Sequence, residues 1–179
     1  MLKYICMENV KINKNVLVMG ICYEFVQSFC ADFANFSNLY YLDVESLIEY
    51  SVMDRIKMKD ICGAEYVEEQ EKKVVLTVAD YENSAISMKF STMLNNLKFI
   101  KKLDCVKVYV CLSKGQISEY EKAKELNVGL NEIVFEERNK FLKKNCDILF
   151  KCDINNIERS FNDLQNQILL HLSEETSEN

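Results

Sequence analysis

Gly20 ends an unbroken apolar run at 16–19, and a helix-compatible segment at 24–36 follows almost at once. Strand, glycine, loop and helix, in that order, are the ground plan of a loop that holds phosphate on backbone N–H groups at a helix N-terminus. Counted from Gly20 in the pattern G-x-x-x-x-G-K-[ST], the second glycine falls on Phe25, the lysine on Val26 and the hydroxyl residue on Gln27. The frame for anion binding is present, and the residues that would perform it are missing. Lys89 is the one place where a relocated cation is considered, since phosphate sites also use lysine as a point charge. The single histidine, His171, suits a place near the end of the last helix and is not assigned a catalytic role.

The bulk properties narrow the setting. At 179 residues, with no Pro, four Gly and no low-complexity linker, the sequence marks no internal boundary. It reads as a single domain over 1–172, with the acidic stretch 173–179 expected to be disordered. A net charge of -6 and a pI near 5.0 leave no basic stripe to displace counterions, so no nucleic-acid partner is expected. Arg55, Arg138 and Arg159 are the only arginines, which limits bidentate grips on carboxylate or phosphate. No run approaches the roughly 18 apolar residues of a membrane span. Glu8 and Asn9 interrupt any signal core. A cytoplasmic protein without a membrane partner is the expectation. The eight cysteines, at 6, 22, 30, 62, 105, 111, 146 and 152, form no C-x-x-C and no Cys/His zinc spacing. They read as small buried hydrophobes, with no metal site.

The elements that must position these residues follow from periodicity. Strands are expected at 16–19, 39–42, 84–88, 106–112 and 147–152. Phe25, Phe29, Phe33 and Phe36 recur at helical spacing and read as a core face rather than a stacking platform. A helix from Leu47 is expected to continue unevenly toward Cys62. The ambiguous stretch 63–82 reads as helix because of its charge-rich start. Further helices are expected at 92–103, 115–126 and 133–145, with a loop at 127–131. Asn155 is the expected start of the last helix, whose stripe is Ile157, Phe161, Leu164, Ile168 and Leu172. Five strands alternating with helices imply an α/β fold, a five-stranded parallel sheet flanked by helices on both faces. In such sheets ligands bind beyond the carboxyl ends of the strands, where Gly20, Asp43 and the residues after Met88 lie.

Three further segments keep an informative spacing: YLDVESLIE at 41–49, GAEYVEEQE at 63–71 and RNKFLKKNCDI at 138–148. With the frame at Gly20 and the Phe33-Ala34 pair, they resemble the shikimate kinase family. These are small P-loop enzymes that move the γ-phosphate of ATP onto a hydroxyl of shikimate. The resemblance covers most of the chain and implies the P-loop NTPase fold, with ATP and magnesium as the family's cofactors. It places the Mg²⁺-side acid on Asp43 and the substrate-hydroxyl acid on Glu45, the remnant catalytic candidates. It places the surviving anion contact on Arg138.

The departures each remove a physical task. Tyr23, Glu24 and Phe25 fill the glycine portion of the loop with bulk and a carboxylate, and Val26 carries no charge. The substrate-gripping arginine falls on Glu68, and the glycine turn after the third strand falls on Lys89-Phe90-Ser91. The lid shrinks to about 120–133 and holds no arginine. These losses imply a degenerate Walker A loop plugged by Tyr23 and Phe25, and no expected cofactor. The implied function is a binding or regulatory module, with an unknown small molecule or protein as partner. The alternative is an active kinase of shikimate or another metabolite using non-standard residues. Asp43 also suits a helix cap. Arg138 also suits an ion pair with Glu68, Glu71 or Glu136. The ligand-binding candidates are Arg138, Lys89 and Gly20.

Overall fold

The computed structural model describes residues 11–124 and 131–177. In chain order the elements are β1 (Asn15–Met19), α1 (Tyr23–Ser37), β2 (Tyr40–Asp43), α2 (Val44–Val52), α3 (Arg55–Cys62) and α4 (Ala64–Thr77). A 3-10 turn at Val78–Asp80 leads to β3 (Ser84–Ser87), α5 (Phe90–Asn95), α6 (Leu97–Ile100) and β4 (Cys105–Cys111). The chain then continues through α7 (Lys114–Ala123), α8 (Glu132–Lys144), β5 (Ile148–Lys151) and α9 (Ile157–Ser177).

The strands form one parallel sheet in the order β2-β3-β1-β4-β5. β1 is central, and all five of its residues are buried, as a strand covered on both faces requires. Parallel crossovers are right-handed. The step from β1 to β2 runs opposite to the other three, so α1 covers one face and the later crossovers belong to the other, except that α7 lies against α1 through Tyr120 and Phe25. α9 returns to the α1 side, where Phe29 meets Phe161 edge-on at 5.1 Å and Phe33 meets it at 6.0 Å. β1 thus feeds one face while its neighbours β3 and β4 feed the other, and the crevice lies above β1.

Several boundaries differ from expectation for identifiable reasons. The helix expected to run toward Cys62 breaks at Met53, whose φ is 63°, and Asp54 restarts it by accepting from Lys57 N at 3.0 Å. The helix expected at 92–103 splits at Asn96, whose side chain donates to Thr92 O at 2.9 Å. The last helix is capped by Asn156 rather than Asn155, since Arg159 N donates to Asn156 Oδ1 at 3.3 Å. The tail expected to be disordered from 173 is helical to Ser177, and Glu175 pairs with Lys14 at 3.1 Å. Residues 127–130 of the expected loop, and 125–130 of the expected lid, lie outside the described residues.

Phe25, Phe29 and Phe33 are core as expected, whereas Phe36 is 37% exposed. Among the described cysteines Cys22, Cys30, Cys105 and Cys152 are buried, but Cys62 is exposed. No helix among the described residues is long and apolar enough to cross a membrane.

Candidate functional site

Only Gly20, Ile21 and Cys22 separate β1 from α1. The first helical bond, Val26 N to Cys22 O at 3.1 Å, already lies in this junction, so Tyr23, Glu24 and Phe25 have helical backbone. Val26 is 1% exposed and lies directly over Gly20, where an added Cβ would overlap Val26 Cγ2. The space among Gly20, Cys22, Phe25, Val26 and Ile117 admits no water molecule. Phe25 closes it from outside, edge-on to Tyr120 with ring centroids 5.3 Å apart. Cys22 donates its thiol to Glu24 Oε2 at 3.7 Å, and burial pushes that thiol's pKa up.

Asp43 ends β2 and faces Ser87, its register partner on β3. Its Oδ1 accepts from Tyr23 Oη at 2.7 Å and Ser87 Oγ at 2.7 Å. Its Oδ2 accepts from Gln27 Nε2 at 3.2 Å, Ser46 Oγ at 2.6 Å and Ser46 N at 3.1 Å. The last of these is the N-cap of α2. Burial works to raise the Asp43 pKa. The hydrogen bonds from Ser46, Tyr23 and Ser87 outweigh it and hold the carboxyl below its ordinary 3.8. The Tyr23 phenol is pushed well above its ordinary value, first by burial and then by its bond to Asp43. Tyr41 completes the group, with its Oη 3.2 Å from Ser87 Oγ; burial raises its pKa to about 12.

Glu45 is held by a different set of partners. Its side chain is 4% exposed, accepts from Thr92 Oγ1 at 2.5 Å and pairs with Arg55 Nη2 at 3.1 Å. Arg55 Nε also lies 3.4 Å from Glu71 Oε1, without hydrogen-bond alignment. Lys89 links the two acids: its backbone N–H donates to Glu45 Oε1 at 3.4 Å, while its ammonium stands 5.0 Å from the centre of the Tyr23 ring.

The sequence candidates are therefore partly assembled. Asp43, Glu45 and Lys89 meet through Tyr23, whereas Gly20 is covered by Val26. The guanidinium of Arg138 sits 5.1 Å from the centre of the Phe90 ring. Its expected ion pair with Glu68, Glu71 or Glu136 does not occur among the described residues, and Glu71 lies beside Arg55 instead. His171 pairs with Glu175, 3.6 Å away on the next turn.

Sequence reasoning missed the roles of Gln27, Ser87 and Arg55. For Arg55 a signal existed: one of only three arginines lies ten residues beyond Glu45, across a predicted helix.

Neither a family model nor a curated protein sequence matches the chain. Solved structures do. Shikimate kinase from Bacteroides thetaiotaomicron superposes with a TM-score of 0.70 at 18% identity, over 88% of this chain and 99% of that one. Shikimate kinase from Aquifex aeolicus gives 0.60 at 20% identity, over 90% and 98%. The enzyme from Acinetobacter baumannii, solved in complex with shikimate, gives 0.66 at 13% identity, over 87% and 93%. The chain has a shikimate kinase-like P-loop fold.

Proposed function

We propose that this protein is a shikimate kinase-like binding or regulatory module that does not transfer phosphate. The observation that carries the reading is the start of α1 at Tyr23, with only Gly20, Ile21 and Cys22 between it and the end of β1 at Met19. A polyphosphate is held by amides that point outward from an open, glycine-rich turn. Here the corresponding backbone is wound into the helix, and the site meant for the lysine holds Val26, buried on Gly20.

ATP and magnesium, which the fold family implies, do not fit these residues. Asp43 already accepts five hydrogen bonds, and Gln27 spends its amide on Asp43. Glu24 adds negative charge where the triphosphate would sit, and Glu68 does the same where a substrate carboxylate would sit. A second reading, a kinase with non-standard residues, is favoured only by Lys89 and Arg138. Both cations rest on aromatic faces and have no carboxylate partner among the described residues, which leaves them as the candidate anion contacts.

Calorimetric titration with MgATP and with shikimate tests the proposal. No heat is expected from either, and micromolar binding of either overturns it.

A further inference from the structure

The strand β5 has a neighbour on one side only: it pairs with β4 and ends the sheet among the described residues. The N–H and C=O groups of alternate residues therefore face outward along this edge. A groove of about 490 Å³ runs beside it, bounded by Leu149, Phe150 and Lys151 and, on α9, by Asp163, Asn166 and Gln167. Asp163 is already matched by Arg159 at 3.7 Å, so the helix brings two neutral amides to the groove. Leu170, 60% exposed, falls on the same helical stripe one turn further on.

The sequence of this edge is matched to itself. Ile148 and Phe150 are buried, Leu149 and Lys151 alternate with them and are exposed, and the exposed Asp147 comes just before the strand. Laid antiparallel to a copy of itself about Leu149, the stretch sets Leu149 against the partner's Leu149 on the axis. It also sets Lys151 against the partner's Asp147, and Asp147 against the partner's Lys151. One apolar contact is thus flanked by two opposite-charge pairs. With the axis moved one residue, to Phe150, Lys151 faces the partner's Leu149 and both charge pairs are lost. A lysine alone on an edge strand discourages pairing, and here the aspartate four residues earlier balances it. Lys151 has no ion-pair partner among the described residues. Asp147 holds Lys107 through Oδ2, at 2.7 Å from the amide and 3.8 Å from the ammonium, and no hydrogen bond among the described residues uses Oδ1.

We infer that the β5 edge is the seam of a two-fold dimer of this chain, in which two sheets join antiparallel through Leu149 into one continuous sheet. The inference goes beyond the function proposed above and does not involve Asp43, Lys89 or Arg138.

Sedimentation velocity of the full chain, from about 1 µM to about 300 µM, tests it. The parent is expected to shift toward twice its 20.9 kDa mass as concentration rises. Leu149→Lys sets two ammonium groups across the axis and should hold the protein monomeric, with its circular dichroism unchanged. Lys151→Asp and Asp147→Lys each turn both flanking pairs into like charges, and self-association of each should weaken about tenfold or more. Mixed together, these two variants regain opposite charges at both pairs and should associate about as tightly as the parent. A purely structural role for either residue gives no such recovery on mixing. A parent that stays monomeric at the highest concentration overturns the inference, and an edge reserved for a strand of another protein gives that same result. A dimer that survives Leu149→Lys, or a mixture that stays monomeric, overturns it equally. If Asp147→Lys fails to fold for want of its contact with Lys107, the parent and Leu149→Lys decide alone.

Discussion

The hydroxyl of Tyr23 donates to Asp43 Oδ1 at 2.7 Å, joining the first residue of α1 to the last residue of β2. The two are twenty residues apart in sequence, and β3, the neighbour of β2 in the sheet, supplies Ser87 to the same oxygen. One carboxylate thereby fixes where the helix begins and where the strand ends. Tyr23→Phe keeps the ring beneath Lys89 and deletes only the donor. A loss of about 1–2 kcal/mol is expected, the usual size for a hydrogen bond to a charged group that is partly shielded. Urea unfolding of the two proteins checks it.

Asp43 makes stability depend on acid in a defined direction. Its folded pKa lies below the ordinary 3.8, so its contribution is complete above that value. It is lost as pH falls below 3.8 through the lower folded pKa. Asp43→Asn is expected to be less stable than the parent near neutrality and to show a shallower decline below pH 3.8. Parallel acid titrations of the folded fraction, by circular dichroism, would show two curves converging at low pH. Parallel curves there would contradict the assignment.

Gly20 and Val26 should behave as a coupled pair. Gly20→Ala forces a methyl into Val26 Cγ2 and is expected to cost about 1–3 kcal/mol by overpacking. Combining it with Val26→Ala removes the obstacle. The double variant should lose less than the sum of the single losses by about 1 kcal/mol, read from a double-mutant cycle.

Restoring the motif's lysine should not restore its chemistry. Val26 is 1% exposed within the packed junction, so Val26→Lys buries an ammonium without a partner. A loss of about 3 kcal/mol or more is expected, with no gain of MgATP binding by calorimetry. A stable Val26→Lys protein that binds MgATP would show that the junction reopens.

Glu45 depends on Arg55 for its charge balance. Arg55→Met leaves a carboxylate that is 4% exposed with only the Thr92 hydroxyl and the Lys89 N–H donating to it, and a loss of about 2 kcal/mol is expected after allowing for the partial exposure of the arginine. Adding Glu45→Gln should recover part of it. Thermal melts of the three variants decide the matter.

Much of the architecture was readable because period and length carry it. The run at 106–112 is β-branched and apolar, and it became β4 at Cys105–Cys111. Of the stripe Ile157, Phe161, Leu164, Ile168 and Leu172, the middle three became the buried face of α9 and the outer two are half-buried. Helix breaks were not readable, because they arise from single side chains competing for backbone groups, as Asn96 does at Thr92 O. The position of the candidate residues was legible, since Asp43 and Gly20 do lie at the carboxyl ends of β2 and β1, with β3 between those strands. Their partners were not. Ser87 and Tyr23 reach Asp43 only after β2, β3 and α1 have docked, and no local pattern encodes that meeting. Arg138 lies on the Phe90 face, while Glu71, one of its expected partners, lies beside Arg55.

The helix at Arg55–Cys62 has no fully buried residue, and Ile56 and Ile61 on it are 78% and 67% exposed. It is held by ionic anchorage at one end, through Arg55 to Glu45 and Glu71, and by the packing of Met58 against the core. Such a segment loosens with ionic strength while the sheet beneath stays intact. Amide exchange across 55–62 should therefore quicken in concentrated salt well before the strands yield a single proton. The fastening of this surface helix is thus in part electrical.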